Sequence, residues 1–390
     1  MHMIRISRIR CRAIVLAAAS SAITLDAIGA RQQPVGRNET VEATLDRGAP
    51  QGDVMIFNGA SGGYDTANAM KWGRNSWTCQ SESDAWTGAC PTEPVWDAEG
   101  KSTQIRLWFQ EQTTGVMTRL NLRGESGFAR HLDCKRKVIR EYVSDLRLPI
   151  EGVGGRSVAV CANKIDWDER KLFVRIPVAE LKKLPSGGIW KADLQLNLRR
   201  WRSHSRPTIA VFKAAITLNV TDMNNIQIYL PEFESATPVV DLKLRTLSNG
   251  SRVSGTSSVE MCLYDGYNAR SASFDISASD GLTIDRRDKG SYSVLLDKDK
   301  SGADASRIDY KASLTYAGRE FELRNNETVH LRRMDLYSNE QVQLPNISVP
   351  VVCMPARLTL KTPEVEVASK RPGKYSNKLT ITFTPSSARL

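Results

Sequence analysis

Apolar and polar residues alternate in short runs along most of this chain. In the clearest run, Leu194, Leu196 and Leu198 are separated by Gln195 and Asn197. A period of two is typical of a β-strand that buries one face. Similar runs recur in both halves of the chain, with turn-forming Gly, Pro and Ser residues between them. This pattern predicts an all-β fold built from antiparallel β-sandwiches.

The length of 390 residues is too great for one hydrophobic core, so two domains are expected. A polar tetrapeptide, Thr221 to Asn224, separates two strand-like runs near the middle of the chain. We therefore predict a first domain over residues 31–221, a short linker at residues 222–225, and a second domain over residues 226–390.

The N-terminus differs in composition from the rest of the chain. A run of arginines precedes an apolar segment at residues 13–25, and Ala27-Ile28-Gly29 resembles a small-x-small cleavage site. This pattern predicts a secretory signal peptide over residues 1–30, too short to span a membrane. No later run approaches the length of a membrane span, so the mature protein is expected to be exported and soluble. Residues 31–53 are polar and aperiodic, which predicts a loose leader.

The cysteines are interpreted in the light of export. One of the seven cysteines leaves with the signal peptide, and an even number remains for an oxidising compartment, which predicts disulfides. Six cysteines allow fifteen complete pairings, and pairing within each domain favours one of them, with bonds between Cys79 and Cys90, Cys134 and Cys161, and Cys262 and Cys353. The competing hypothesis is a zinc site, but no C-x-x-C pair is present and the four histidines are scattered. We predict no metal and no cofactor.

Basic residues are concentrated in the first predicted domain. The whole chain carries a net charge of +11, and residues 31–221 contain 28 Lys and Arg against 21 Asp and Glu. A solvated basic surface is the commoner cause of such a modest excess, and the more specific explanation is a patch for acidic groups on a partner. The signs of other function classes are weak. No nucleophile motif accompanies the histidines, which argues against an enzyme, and no nucleic-acid-binding motif is present.

Arginines follow the leucine-rich strand directly, at Arg199, Arg200 and Arg202, with Trp201 among them. An unpaired guanidinium is too costly to bury in an apolar core, so the apolar layer is expected to end near Leu198. The arginines would then emerge at one end of the domain, where loops gather and ligands commonly bind.

Several longer motifs resemble one known family. They lie in both predicted domains, and several of them are long and non-degenerate. The motifs are Leu181-Lys-Lys-Leu-Pro-Ser-Gly-Gly-Ile-Trp190, Leu196-Asn-Leu-Arg-Arg200, Asn225-Ile-Gln-Ile-Tyr-Leu-Pro231, Val259-Glu-Met-Cys-Leu-Tyr-Asp-Gly-Tyr267, Ile347-Ser-Val-Pro-Val-Val-Cys353 and Ile381-Thr-Phe-Thr-Pro-Ser-Ser387. Together they resemble the class 5 fimbrial minor pilins, a family of CFA/I-like tip adhesins and cable-pilus initiator subunits.

The resemblance implies two immunoglobulin-like β-sandwich domains, an adhesin domain followed by an incomplete pilin domain. It implies a periplasmic chaperone, an outer-membrane usher and a major pilin subunit as partners, and a route through the periplasm to the fimbrial tip at the cell surface. A donor strand from a partner would complete the pilin domain by β-strand addition. We expect its groove to lie beside the alternating residues of the last strand, Leu379, Ile381 and Phe383.

The family binds its receptor through a basic end of the adhesin domain. An arginine five residues before the first disulfide cysteine corresponds to Arg74, and the end of the Trp-x9-Arg strand corresponds to Arg200, counted from Trp190. Trp201 departs from the family, which has a second arginine there. The resemblance predicts a receptor-binding set for a host or surface glycoconjugate, and the set is Arg74, Arg199, Arg200, Trp201 and Arg202. The alternative is a non-adhesive assembly initiator whose first domain caps the fibre.

Overall fold

The structure is a computed structural model, and it describes residues 30–154, 167–201, 205–248, 250–332 and 341–386. The predicted signal peptide and cleavage site therefore lie outside the described residues, apart from residue 30. Within those ranges, no helix is long and apolar enough to cross a membrane.

The described residues of the first domain form ten strands. They are β1 (Arg31–Gln32), β2 (Arg37–Asp46), β3 (Val54–Asp65), β4 (Ser76–Thr78), β5 (Thr103–Glu111), β6 (Met117–Leu132), β7 (Val138–Leu148), β8 (Trp167–Ile176), β9 (Gly188–Arg199) and β10 (Thr208–Thr221). The main path of the sheet is β1-β3-β8-β6-β5-β9-β10-β2, with β4 paired to β9 and β7 to β6. One short helix, α1 (Val178–Leu181), and a 3-10 turn at Ala69–Lys71 interrupt the strands.

The two edges of this sheet are close in sequence, because only four residues separate β1 from β2. A sheet whose first and last strands are so connected must fold over, and it closes on one core as a β-sandwich. Leu194, Leu196 and Leu198 on β9 are each at most 1% exposed, as the alternation predicts. Trp77 and Phe212 meet across this core with ring centroids 5.7 Å apart.

The prediction of a loose leader at residues 31–53 is wrong. Strand β2 pairs in parallel with β10 along its whole length, from Arg37 opposite Phe212 to Asp46 opposite Thr221. Every second side chain of β2 from Val41 to Leu45 packs on the core. An edge strand buries only part of one face, and the short apolar pattern that results is hard to distinguish from a polar leader.

In the second domain, the part of the chain that the structure describes contains thirteen strands, which are shorter on average. They are β11 (Gln227–Tyr229), β12 (Arg245–Thr246), β13 (Arg252–Tyr264), β14 (Ser273–Ser279), β15 (Tyr292–Leu296), β16 (Arg307–Tyr316), β17 (Arg319–Leu323), β18 (Thr328–Arg332), β19 (Gln341–Val342), β20 (Val351–Val352), β21 (Met354–Glu366), β22 (Tyr375–Ser376) and β23 (Thr380–Pro385). The larger sheet runs β11-β13-β21-β16-β15-β22, and it faces the three-stranded sheet β18-β14-β23 across a separate core. The chain thus forms tandem β-sandwich domains, as predicted.

The connection between the domains is short and packed. Strand β10 ends at Thr221, a 3-10 turn follows at Met223–Asn225, and β11 begins at Gln227. The amide of Asp222 donates a hydrogen bond to the carbonyl of Gly266 in the second domain (2.8 Å). Gly266 has φ +72°, a left-handed conformation that favours glycine. A side chain at Gly187 would place its Cβ 2.0 Å from the Gly266 carbonyl oxygen, so the two domains meet through glycine backbone.

Two of the three predicted disulfides are confirmed. Cys79 is bonded to Cys90 (Cα–Cα 5.2 Å), and Cys262 is bonded to Cys353 (Cα–Cα 5.6 Å). Cys134 is also disulfide-bonded, but its predicted partner Cys161 lies outside the described residues.

Candidate functional site

Strand pairing brings two distant parts of the sequence to one end of the first domain. The short strand β4 pairs with the end of β9, so that Ser76 lies opposite Arg199 and Trp77 opposite Leu198. Arg74, two residues before β4, therefore lies beside the point where the buried leucine face gives way to arginine. We call this end the basic pole.

Two arginines and two tryptophans stack at the basic pole. The guanidinium carbon of Arg74 lies 4.5 Å from the ring centroid of Trp96, and the Trp96 and Trp201 centroids are 5.6 Å apart. The guanidinium carbon of Arg206 lies 4.6 Å from the Trp201 centroid. Each contact is within the range of a cation–π or aromatic pair. We call this set the Arg–Trp ladder.

The segment that carries Trp96 is fixed by backbone contacts. The Cys79–Cys90 disulfide closes the preceding loop, and the amide of Cys79 donates to the carbonyl of Pro91 (3.1 Å). The carbonyl of Trp96 accepts a hydrogen bond from the amide of Gly154 (2.7 Å). A Cβ at Gly154 would lie 2.4 Å from that same carbonyl oxygen, so only glycine fits this approach. The ladder is thus assembled before any ligand arrives.

Arg199 is paired within the domain. Its Nη2 lies 2.9 and 3.1 Å from the two carboxylate oxygens of Glu93, and its Nε donates to the carbonyl of Arg206 (2.7 Å). Its charge is therefore compensated, and its contacts hold the loop that carries Arg206 against the segment that carries Glu93. The backbone amide of Arg200 donates to the carbonyl of Pro207 (3.0 Å), which closes the same loop.

The charge of Arg74 acts on another arginine of the domain, Arg170, which is deeply buried. Arg170 on β8 is fully buried and donates hydrogen bonds to the carbonyls of Gly152 (2.9 Å) and Val153 (3.2 Å). Burial, and secondarily the charge of Arg74, lower the pKa of Arg170 to about 9. Burial likewise lowers the pKa of Arg74. The Nε and Nη1 atoms of Arg74 are buried, and neither has a hydrogen-bond partner within the described part of the chain.

The structure brings four of the five predicted receptor-binding residues to the basic pole, namely Arg74, Arg199, Arg200 and Trp201. The fifth, Arg202, lies outside the described residues. Sequence reasoning missed Trp96, Arg206 as a stacking partner, and Arg170. Trp96 follows an aperiodic stretch, and Arg170 ends a polar sequence on β8 (Trp-Asp-Glu-Arg) that gives no sign of burial.

An open apolar groove runs along the second domain, with a volume of about 630 Å³. Its floor is formed by side chains of the larger sheet, among them Met261, Tyr310 and Leu358. Its walls are the irregular segment at residues 236–242 and, on the other side, Leu379 with Ile381 of the last strand. We call it the strand groove. Phe383 lies outside its lining and packs on Phe274 instead (5.9 Å between centroids).

Both walls of the strand groove depart from regular sheet. Residues 239–244 form no strand, and Lys243 adopts φ +52°, which interrupts an extended run. On the other wall, β23 pairs only with β14 among the described strands. Its second edge therefore faces the groove with backbone groups available for another strand.

Comparison with known proteins agrees with this two-domain arrangement. A family model for the first domain of the CFA/I fimbrial protein CfaE matches residues 27–223, and one for the second domain of CfaE matches residues 226–387. The CFA/I fimbrial protein CfaE of Escherichia coli is 31% identical over 382 residues, which cover 95% of this chain and 97% of that protein.

Two solved structures share the fold along nearly the whole chain. CfaE, the adhesive subunit of CFA/I fimbria of enterotoxigenic Escherichia coli, is 29% identical with a TM-score of 0.70, over 93% of this chain and 95% of that one. The second structure is a chaperone–tip adhesin complex described as vital for synergistic activation of CFA/I fimbriae biogenesis. The matching chain is 28% identical with a TM-score of 0.65, and the match covers 92% of this chain and 98% of that one. The chain belongs to the CfaE family of CFA/I fimbrial proteins.

Proposed function

We propose that this protein is the tip subunit of a fimbrium, that it initiates fimbrial assembly, and that it binds a host or surface glycoconjugate through the basic pole. The observation that carries the tip position is an asymmetry. The strand groove is open to a donor strand, whereas the N-terminal segment of this chain is already used as β2, paired with β10 over ten positions. Residues 37–46 are therefore not available as a donor strand, while the groove can accept one.

The partners follow from the same asymmetry. An apolar groove beside an unpaired strand edge is an aggregation hazard, so a periplasmic chaperone is expected to cover it first. A major pilin subunit then replaces the chaperone by strand addition at the outer-membrane usher, and the finished fibre is displayed at the cell surface. The solved chaperone–tip adhesin complex of a relative supports the first of these steps.

The adhesive role is supported by the composition of the basic pole. Guanidinium groups form charge-assisted hydrogen bonds, and indole rings stack on sugar faces. Arg200 and Trp201 lie at the exit of β9, next to Arg74, and each is partly exposed. We therefore assign receptor binding to Arg74, Arg200 and Trp201, with Arg202 as the predicted neighbour and Arg199 as the residue that holds the loop in place.

The test is adhesion of bacteria that carry Arg200→Ala, compared at equal numbers of fimbriae per cell. Removal of a charge-assisted hydrogen bond costs about 1.5 to 3 kcal/mol, so we expect adhesion to fall by about tenfold or more. Arg119→Ala is the matched control, because Arg119 is an exposed arginine on β6 of the same domain.

The second candidate is a non-adhesive assembly initiator. It is favoured by the pairing of Arg199 with Glu93, since a basic surface neutralised within its own domain needs no receptor. Unchanged adhesion of the Arg200→Ala strain, with fimbriae present in normal number, would support this candidate against the adhesin.

A further inference from the structure

We infer that the first domain carries a further binding site, for a small zwitterion of amino-acid size, whose ammonium group pairs with Glu169 and whose carboxylate pairs with Lys171. The site is a polar pocket of about 210 Å³ on the part of the sheet formed by β1, β3, β8, β6 and β7. Its described lining residues belong neither to the Arg–Trp ladder nor to the strand groove. The inference therefore does not rest on the proposed adhesive function.

Strand pairing explains why a hollow exists at this position. One row of paired residues crosses four strands, from Gln32 through Tyr64 and Glu169 to Ala129. Residues paired across a sheet direct their side chains to the same face. Ala129 has the smallest side chain of the row and lies opposite Glu169. Its single methyl group leaves space beside the Glu169 carboxylate.

Arg130 closes one side of the pocket, and its charge is already compensated. It has φ +61°, and the register between β6 and β7 shifts at the same point, so β6 bulges here. Its Nη1 lies 2.7 Å from a carboxylate oxygen of Glu141, and its Nε lies 3.2 Å from one of Asp168. Its guanidinium carbon is 3.7 Å from the ring centroid of Tyr64. Arg130 is thus a wall of the pocket rather than an anion-binding group.

The other two charges of the lining, Glu169 and Lys171, have opposite signs and lie two positions apart on β8. Because side chains alternate along a strand, both are directed to the pocket face. Lys171 acts on Glu169 through its charge, and the side-chain hydrogen bond to Glu169 comes from Ser61. Glu169 is 3% exposed, and burial raises its pKa. The pocket therefore presents one anion and one cation that can each take a further partner.

These two charges determine the class of ligand. A simple cation would be attracted by Glu169 and repelled by Lys171, and a simple anion would meet the reverse. A molecule that carries both charges gains attraction from both residues. Pockets for drug-sized ligands usually measure about 300 to 1,000 Å³, so a volume of about 210 Å³ fits a smaller molecule. An amino acid with a short side chain has this size and both charges.

The experiment uses the full mature chain with a donor peptide fused to its C-terminus, and binding is measured by isothermal titration calorimetry. The probes are glycine, L-serine and L-glutamine. Each is compared with its α-amide, which lacks the carboxylate, and with its N-acetyl derivative, which lacks the ammonium group. We expect at least one of the zwitterions to bind about tenfold more tightly than both of its derivatives, a difference of about 1.4 kcal/mol.

The variants test the two charges and the hollow separately. Glu169→Gln and Lys171→Met should each weaken binding of the zwitterion by about tenfold or more, because each removes one charged partner, while Lys171→Arg should retain most of it. Ala129→Leu should abolish binding by filling the hollow, although both charges remain. Lys191→Met and Asp193→Asn are the matched controls, since these residues are exposed opposite charges two positions apart on β9 of the same domain. Both controls should bind as the wild type does.

The outcomes against the inference are distinct from those against adhesion. Failure of all three zwitterions to bind in the millimolar range, in a protein that elutes as a monomer, overturns the inference, and so does equal binding of a zwitterion and its two derivatives. Binding that is unchanged in Glu169→Gln and Lys171→Met, at the wild-type melting temperature, places the ligand elsewhere and overturns this site. If Ala129→Leu does not yield monomer, the two charge variants decide alone.

Discussion

The basic pole of the first domain and the strand groove of the second are completed in opposite ways. At the pole, a disulfide, the Glu93 carboxylate and backbone hydrogen bonds from the same domain hold every element of the ladder in place. In the groove, Leu379 and Ile381 line a cleft of about 630 Å³ that the domain itself leaves open. The pole is preorganised and can bind without folding, whereas the groove needs a partner strand to finish its core.

The largest effect should come from denying the groove its partner. Expressed without a chaperone or donor strand, the full mature chain should be insoluble or misfolded, because an apolar cleft beside an open strand edge promotes association. A major-pilin donor peptide fused to the C-terminus should restore soluble monomer, measured by size-exclusion chromatography. Equal yields of stable monomer with and without the peptide would show that the groove needs no partner strand.

The next effect separates the two faces of β23. Ile381→Asp should abolish the soluble, donor-complemented protein, because a carboxylate would be buried in the groove at a cost of several kcal/mol. Thr382→Asp is the matched control, since Thr382 is the adjacent exposed residue on the same strand. If both variants yield similar amounts of monomer, the inward face of β23 is not the surface that the donor covers.

A smaller effect compares the two disulfides. Replacing Cys79 and Cys90 with serine should destabilise the first domain by about 2 to 3 kcal/mol and weaken receptor binding, because that bond closes the loop leading to Trp96. The Cys262→Ser and Cys353→Ser double variant should destabilise the second domain and leave binding by the first unchanged. Calorimetry and binding on the same donor-complemented samples check this, and weakened binding in the second variant would count against independent domains.

The smallest effect concerns acid. Hydrogen bonds from Ser306 and Ser301 lower the pKa of Asp299 in the second domain from 3.8 to about 2. Stability from a carboxyl with a lowered pKa is present above its unfolded value and is lost as the pH falls through the folded one. The second domain should therefore lose stability between about pH 4 and pH 2, and Asp299→Asn should flatten this dependence.

The first domain contains carboxyl groups whose pKa is shifted in the opposite direction, and they provide the control. Burial raises the pKa of Asp168 and of Glu169, so the stability of the first domain should rise as the pH falls through those raised values towards the ordinary pKa of a carboxyl. Calorimetry of the donor-complemented protein from pH 7 to pH 2 should show that the two transitions respond differently. Parallel shifts of both transitions would contradict this assignment.

Strict alternation made the central strands predictable. The leucine face of β9 and the inward residues of β23 both keep an unbroken period of two, and the structure buries the former and half-buries the latter. The alternation does not reveal a strand that buries only a few side chains on one face. Strand β2 rests on the core through three side chains from Val41 to Leu45, and its partner strand lies 175 residues away in sequence.

The basic pole was only partly predictable for a different reason. The arginines after β9 stood out because a charge cannot continue a buried face, and Arg74 was found through its distance from Cys79. The contact of Trp96 with Trp201 joins residues 105 positions apart across irregular loops, where no period exists to detect. Arg170 is fully buried among backbone carbonyls, and those acceptors are invisible in the sequence.

Strand β10 has a mechanical consequence for a fibre under flow. It begins at Thr208, opposite Arg199 at the basic pole, and ends at Thr221, where the chain enters the second domain. Its length is about 45 Å at 3.4 Å per residue, and it is flanked by β9 on one side and β2 on the other. A pull between a bound receptor and the fibre is directed along this strand. The hydrogen bonds on both sides are then loaded together in shear, so the first domain should yield only after many of them fail at once.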